Sequence, residues 1–244
     1  HNRTLERLLR EADAASALLA ITGRDGDSSD WRPLLFQQFH DILPGTSIPE
    51  VFEQAEPVWR SARRQARRER DRRLARLPRS KGTAAEWSWW GLQPLASWSP
   101  LVRLPVGSWS ANAVSLPQQA AAGGGTWVQL PRQHGICSVP LRREPGLASG
   151  AAQPRQPVVI TSLGSGVWRV GNGLIDIDVS AAGLLALRDC DGRNQLSSPL
   201  QLERYRDRGE FWDAWDLAAD YRSQPLGVRC TDSLEWLDQG PLVV

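Results

Sequence analysis

The sequence changes character at about residue 80, and this change constrains the fold more than any other feature. Before residue 80, apolar residues recur at helical spacing. After it, glycine and proline become frequent, and short runs alternate apolar with polar residues, as β-strands do. The sequence therefore predicts an α+β protein with two domains, a helical domain at residues 1–80 and a β-rich domain at residues 81–244.

Three helices are predicted in the first domain. The first covers about residues 3–22 and ends before Gly23. The second is capped by Asp30 and ends at Pro44-Gly45, and its apolar residues lie on several sides, so it should be buried on more than one side. Short connections between helices predict an antiparallel three-helix bundle.

The third predicted helix starts at a capping box and ends near Leu77. Ser47 and Glu50 have the S-x-x-E spacing in which each side chain bonds the other residue's backbone amide. Pro57 lies inside the apolar pattern and predicts a kink.

The β-rich domain is predicted to be an antiparallel sandwich. Two loops are expected, at residues 120–125 and 144–156. The predicted strands cover residues 101–104, 126–130, 167–170 and 174–179.

Composition excludes several classes of protein. The net charge of +2 does not imply a strongly charged partner, and no apolar run reaches the roughly 18 residues of a membrane helix. Three widely spaced cysteines argue against a disulfide framework and favour a reducing compartment, so we expect a cytoplasmic location. The chain has no methionine and its last residues resemble an interrupted strand, so we expect a piece of a longer protein, truncated at both ends.

The strongest local signal is the pair His40-Asp41. The prediction places it in the last turn of the second helix, where partial negative charge favours a cation. Imidazole is also the commonest metal ligand. From residue types alone, a buried histidine with a hydrogen-bond partner is the favoured alternative.

Two motifs carry a resemblance to a known family. The segment from Phe36 to Ile48 (FQQFHDILPGTSI) resembles the "NQFHDILPGSSI" stretch of glycoside hydrolase family 38, the zinc-dependent α-mannosidases. Residues 211–217 (FWDAWDL) resemble the "WDAWDI" motif of that family, and Gly240-Pro241-Leu242 resembles a later strand. Order and spacing hold along nearly the whole chain, whereas residues 80–160 match poorly.

The resemblance implies a function for a longer parent protein. That parent would be a retaining α-mannosidase that uses zinc to hydrolyse terminal α-mannosides, and its substrates would be mannose-containing oligosaccharides. His40 would be a zinc ligand and Asp41 would contact sugar hydroxyls. The catalytic carboxylates would belong to a β/α barrel that precedes the helices, so the chain itself holds no catalytic residue and should be inactive alone.

Other interpretations remain open. The chain could be a non-catalytic carbohydrate-binding or scaffold module of the same family. Nine arginines from Arg60 to Arg76 could bind nucleic acid, although a solvated helix face is the favoured interpretation and no nucleic-acid partner is expected.

Two further sets of residues are interpreted as structural. Asp213 and Asp216 are given a structural role and not a catalytic one. Core packing is favoured over sugar stacking for the tryptophans, which include Trp87, Trp89, Trp90, Trp98 and Trp109.

Overall fold

The computed structural model describes residues 1–77, 86–144, 152–209, 216–231 and 233–243. Contacts divide them into two compact units. The first consists of residues 1–77 together with Gly209, Asp216 and Leu217, and the second consists of residues 86–208 and 218–243. The mixture of helices with antiparallel sheets confirms the predicted α+β class.

The first unit is built on two long helices and a short one. They are α1 (Asn2–Ile21), α2 (Arg32–Phe36) and α3 (Pro49–Arg76). The apolar stripe of α1 faces α3, and the two helices bury a common core. The buried members of that core are Leu5, Leu8, Leu9, Leu34, Ala55, Trp59 and Ala66.

A three-helix bundle is not confirmed, because α2 has only five residues. The helix ends at Phe36, not at Pro44-Gly45 as predicted. The carbonyl of Gln37, the next residue, accepts a hydrogen bond from the side-chain amide of Asn2 at 3.2 Å. The carbonyls that would extend the helix are therefore used in other contacts and turns, and residues 37–45 form turns.

The start of α3 also differs from the prediction. Ile48 is the N-terminal cap and no side chain caps the helix, so the capping box of Ser47 and Glu50 is wrong. Pro49 occupies the first helical position, which its fixed φ angle suits, and this shifts the start by one residue. The helix continues through Pro57 to Arg76, with Leu77 as its cap, so its end was predicted correctly.

A buried arginine joins α3 to α1 and to the loop before α2. The side chain of Arg73 is 2% exposed, donates to the Ser29 hydroxyl at 2.7 Å, and lies 3.6 Å from both Asp13 and Glu69. Burial raises the pKa of Asp13. Hydrogen bonds from Ser29 and Trp31, together with the charge of Arg73, lower this pKa by more than burial raises it, so the net shift is downward. The stability that Asp13 contributes is therefore present above its unfolded pKa of 3.8 and is lost as pH falls through the folded value.

Replacing Arg73 by methionine should destabilise the first unit by about 1–3 kcal/mol, because its carboxylate and hydroxyl partners lose a buried donor. The neighbouring Arg72 is 64% exposed and lies 3.9 Å from Asp27, so Arg72→Met should cost less than about 0.5 kcal/mol. Urea unfolding, followed by the circular dichroism signal of the helices, measures the free energy of unfolding of both variants. Equal losses in the two variants would contradict a structural role for the buried arginine.

The second unit contains thirteen strands among its described residues, and they form four antiparallel sheets. The strands are β1 (Trp87–Trp98), β2 (Leu101–Leu104), β3 (Ser108–Ala111), β4 (Val114–Ser115), β5 (Gln118–Ala120), β6 (Thr126–Gln129), β7 (Gln133–Glu144), β8 (Val159–Gly164), β9 (Val167–Gly171), β10 (Asp176–Ser180), β11 (Gly183–Arg188), β12 (Glu203–Tyr205) and β13 (Pro225–Val228). The sheet orders are β1-β7-β3-β4, β2-β6-β5, β11-β10-β9-β8 and β12-β13. A single 3₁₀ turn covers Tyr221–Ser223.

Two of these sheets enclose a common core. Trp109 of β3 is fully buried, and its indole N–H donates to the Pro105 carbonyl at 2.9 Å. Val128 comes from β6, in the facing sheet, and is also fully buried. The other buried members of this core are Ala111, Leu116, Leu130, Val139 and Leu141. Inward residues of both sheets thus supply the apolar burial that holds this part of the unit together.

The sheet of β8 to β11 is held by a buried carboxylate. Asp178 on β10 accepts hydrogen bonds from Arg169 on β9 and Arg188 on β11, each at 2.7 Å. The hydrogen bond from Arg169 is the largest cause that lowers the pKa of Asp178. The three strands are therefore linked by side chains as well as by their backbone ladders.

Three of the four predicted strands coincide with β2, β6 and β9 within one residue. The fourth begins two residues late, at Asp176, because the Asn172 side chain accepts hydrogen bonds from the amides of Leu174 and Ile175 and holds them in a turn. The first predicted loop agrees with the turns after Ala120. Within the second, Glu144 still belongs to β7, and residues 145–151 lie outside the described residues.

Among the described residues, no helix combines the length and the apolar character that crossing a bilayer requires.

Candidate functional site

His40 and Asp41 lie in the run of turns between α2 and α3, not in a helix. The expectation that a helix C-terminus favours a cation at His40 therefore fails. The run is fixed at both ends. Before it, Leu34 is buried in the core and Gln37 is 3% exposed. After it, Pro49 starts α3.

The two side chains face each other. The Nε2 atom of His40 lies 3.4 Å from Oδ2 of Asp41, although adjacent residues on a helix would point about 100° apart. The His40 side chain is 72% exposed and that of Asp41 is 24% exposed. The imidazole also contacts the ring of Phe39, at a centroid distance of 4.1 Å. The pair is thus open to a ligand that approaches from outside the unit.

Hydrogen bonds within the turn position Asp41. Its backbone carbonyl accepts from the amides of Thr46 and Ser47, at 3.0 and 2.9 Å. Its Oδ1 atom accepts from the hydroxyl of Thr46 at 3.4 Å, so Oδ2 remains directed at His40. Gly45 has a φ of +90°, in the left-handed region that favours glycine, and this conformation lets the chain return to Asp41. Sequence reasoning missed Thr46, whose only signal was its place directly after Pro44-Gly45.

Large apolar side chains lie close to the pair in the chain and are exposed. Leu35, Phe36, Phe39, Leu43 and Ile48 are all more than half exposed, and we call this set the apolar turn surface. The sequence prediction was that this segment is buried on several sides. Within the described residues these side chains are exposed instead. An apolar patch of this kind is typical of a surface that another part of a protein covers.

The spacing of the two side chains suits a zinc ion. Two ligands of a tetrahedral zinc at about 2.0–2.2 Å from the metal lie roughly 3.3 Å apart, and the His40–Asp41 separation of 3.4 Å fits such an edge. The described residues contain no group of three or more histidine, cysteine, aspartate or glutamate side chains that could hold a metal. The pair can thus supply part of a zinc site, and the remaining ligands would have to come from elsewhere.

The other candidate residues that the structure describes have contacts of their own. Asp213 lies outside the described residues, and the Asp216 carboxylate accepts a hydrogen bond from the Leu217 amide at 2.8 Å. Trp109 is core, as favoured, and Trp89 packs against the same core. Trp87 is 45% exposed with its ring against Trp109.

Several of the arginines of α3 have partners within the first unit. Arg60 pairs with Glu56 at 2.7 Å, and Arg70 pairs with Glu11 and Asp71, each at 2.8 Å. Arg73 is buried, as described above. The arginine-rich stretch therefore includes residues that stabilise the helix pair, and it is not one uniform solvated face.

The three cysteines are free thiols. Cys190 and Cys230 are exposed and Cys137 is half-buried. Burial raises the pKa of the Cys137 thiol, while a backbone hydrogen bond from Gly91 opposes the shift.

Comparison with known families agrees with this architecture. Residues 1–77 match the alpha mannosidase middle domain, and residues 170–244 match the C-terminal domain of glycosyl hydrolases family 38. The human protein alpha-mannosidase 2C1 is 26% identical over 227 residues, a match that covers 88% of this chain and 20% of that protein.

Two segments of the chain are thus similar to two domains of α-mannosidase-type glycosyl hydrolases, as the resemblance of its motifs to family 38 implied. The turn with His40 and Asp41 lies within the middle-domain match. The chain spans about a fifth of the length of the human relative.

Replacing Gly45 by alanine should destabilise the turn by about 1–2 kcal/mol, because an L-residue at this φ crowds its own backbone. A Cβ atom at Gly45 would meet nothing within 4 Å, so the cost would be conformational and not a clash. The amides of Thr46 and Ser47 donate to the Asp41 carbonyl, so faster hydrogen exchange at these two amides measures the destabilisation of the turn. Gly124 has a φ of +88° and open space as well, so Gly124→Ala provides a matched control in the second unit that should leave these amides unchanged.

Proposed function

We propose that this chain is the central part of a zinc-dependent retaining α-mannosidase that removes terminal α-linked mannose from oligosaccharides. The observation that carries the proposal is the exposed pair His40 and Asp41, held 3.4 Å apart in the part of the chain that matches the middle domain of α-mannosidases. In this proposal His40 binds zinc through its imidazole, and Asp41 accepts a hydrogen bond from a mannose hydroxyl.

The chain's own contribution is to bind and to orient. Zinc, when bound, supplies Lewis-acid assistance by holding substrate hydroxyls. The Asp41 carboxylate has its Oδ1 atom engaged by Thr46, which leaves Oδ2 to accept from a sugar hydroxyl beside His40. Hydrolysis with retention also requires two carboxylates about 5–5.5 Å apart, one as nucleophile and one as acid and base. We assign both to a catalytic barrel of the same protein, and the chain alone should be inactive.

The apolar turn surface supports a site shared between this chain and the catalytic barrel. A catalytic zinc normally has three protein ligands, so a site to which this chain brings His40 needs ligands from another domain at the same place. The exposed side chains of Phe36, Phe39 and Leu43 lie close to the pair in the chain and would be buried by that domain. Burial of such side chains is worth about 1.5–3 kcal/mol each, which favours a fixed interface around the site.

Replacing His40 by alanine in the full-length protein should lower kcat/KM for an α-mannoside more than about 100-fold, since even outer-shell partners of zinc ligands are worth 10–100-fold. Bound zinc, measured by atomic absorption, should fall with it, and a chelator should abolish the activity of the unaltered protein. His134 is exposed and lies in the β-rich unit, so His134→Ala is the control that should change neither quantity.

Full activity and full zinc content in His40→Ala would refute the metal role. Absence of turnover on every α-mannoside tried, in a folded protein that still binds mannosides, would favour the carbohydrate-binding module instead.

Replacing Asp41 by asparagine should separate substrate binding from metal binding. The amide keeps the size of the side chain but loses the charge-assisted hydrogen bond, so kcat/KM should fall by about 10–100-fold, the equivalent of roughly 1.5–3 kcal/mol. Zinc content should remain that of the unaltered protein. Loss of zinc in Asp41→Asn would show instead that both residues of the pair bind the metal, as their 3.4 Å separation allows.

We also propose that the parent protein works in a reducing compartment such as the cytoplasm. The support is the odd number of cysteines, all of which are free thiols in the structure.

A further inference from the structure

A groove of about 840 Å³ lies wholly within the second unit, where stretches far apart in the sequence meet. One side is β4 with its connection to β5, at residues 114–117, and the next is the end of β6 with the residues that follow it, at 129–132. Residues 153–156 and Asn172, which follows β9, complete it. The groove belongs to neither of the two motifs that resemble family 38, and the proposed α-mannosidase site does not use it.

The floor of the groove is rigid. Leu116 and Leu130 are buried in the core shared by two sheets. The Leu130 amide donates to the Pro100 carbonyl at 2.8 Å, and the Gln129 amide donates to the Pro117 carbonyl at 2.9 Å. The side chains of residues 116–117 and 129–130 therefore project from a fixed backbone, which lowers the entropy lost when a ligand binds.

The lining is polar and positively charged. Eight of the thirteen lining residues are polar, and they include two arginines but neither aspartate nor glutamate. Arg132 donates through Nε to the Ser97 hydroxyl at 3.1 Å, so its terminal nitrogens have no acceptor among the described residues. The side chain of Arg155 is exposed, and the structure shows no hydrogen bond or ion pair from it to the described residues. Two guanidinium groups without carboxylates create a positive potential that suits an oxyanion.

The remaining polar groups suit a polyhydroxylated ligand. Gln129, Gln153 and Gln156 each carry both donors and acceptors, and Asn172 keeps its amide N–H groups free because its oxygen accepts from Leu174 and Ile175. No aromatic side chain lines the groove among the described residues, so it offers no flat face on which a neutral sugar or an apolar ring could stack.

We propose that this groove binds an oligosaccharide that carries an oxyanion, either a sulfate or phosphate ester or a uronic carboxylate. Arg132 and Arg155 hold the oxyanion, and the glutamine and asparagine amides bond the sugar hydroxyls. The second unit would thereby bind charged glycans through residues other than those proposed to bind mannose.

The test is isothermal titration of the full-length protein with a sulfated, uronate-containing tetrasaccharide derived from heparin. Binding is expected, and it should weaken as salt is raised because charge carries much of it. The neutral tetrasaccharide cellotetraose should bind at least about tenfold more weakly, since it lacks the groups that the arginines hold. Inorganic sulfate should compete only at concentrations far above those of the tetrasaccharide, because it reaches none of the amides.

The double variant Arg132→Gln/Arg155→Gln should raise the dissociation constant of the sulfated tetrasaccharide by at least about tenfold, with an unchanged melting temperature. Arg142→Gln is the matched control, since Arg142 is exposed on β7 of the same unit and does not line the groove. Unchanged affinity in the double variant, or an equal loss in Arg142→Gln, would overturn the proposal. Competition by inorganic sulfate at the concentration of the tetrasaccharide would overturn its saccharide part.

Discussion

The side-chain amide of Asn2 connects every element that positions the candidate site. Its nitrogen donates to the Gln37 carbonyl at 3.2 Å, and its oxygen accepts from the indole of Trp59 at 2.7 Å. One residue at the start of α1 thus links the end of α2 to the middle of α3. Because a buried polar group that loses its partner costs about 1–3 kcal/mol, this arrangement strongly favours a single position for Gln37. The turn that carries His40 begins there, so its position follows from this contact.

The same contact explains a feature that the sequence alone could not show. A cap at Asp30 and a run of apolar residues predicted a second helix up to Pro44, but such a run indicates what a segment buries and not which carbonyls find other donors. Asn2 is 35 residues from Gln37, and no local pattern reveals that their side chain and backbone meet. The capping box failed for a related reason. Ser47 had the correct spacing, but Pro49 is well suited to the first helical position, and tertiary structure and proline geometry outweighed the motif.

Long periodic segments and motifs were predictable, whereas residues with mixed patterns were not. The limits of α1 and the end of α3 follow from apolar spacing, and β2, β6 and β9 follow from alternation. The two longest strands, β1 and β7, were not predicted. β1 contains Gly91 and a shift of register after Leu92, and β7 contains Gly135 and Pro140, so neither has a clean alternation. They pair with each other across some forty residues, and it is this long-range pairing that forms them.

For the candidate site, sequence resemblance identified His40 and Asp41, and the structure adds how they face each other. The pair lies in turns, where adjacent side chains can converge, so the two residues can approach within 3.4 Å. A helix would have separated them. Thr46 and the apolar turn surface became visible only in the structure, because their roles depend on the return of the chain at Gly45.

A site that one domain supplies only in part explains two features that would otherwise conflict. A residue that binds a metal usually has its imidazole ordered by a second hydrogen-bond partner, yet the His40 side chain is 72% exposed, and among the described residues its polar partner is Asp41 and its ring lies against Phe39. Exposed phenylalanine and leucine side chains beside it would disfavour an isolated unit in water. Both features are expected of a surface completed by another domain, because that domain would bury the apolar side chains and bring ligands to the imidazole in one step. In that arrangement the stability of the interface and the affinity for zinc rise together, since each depends on the same turn.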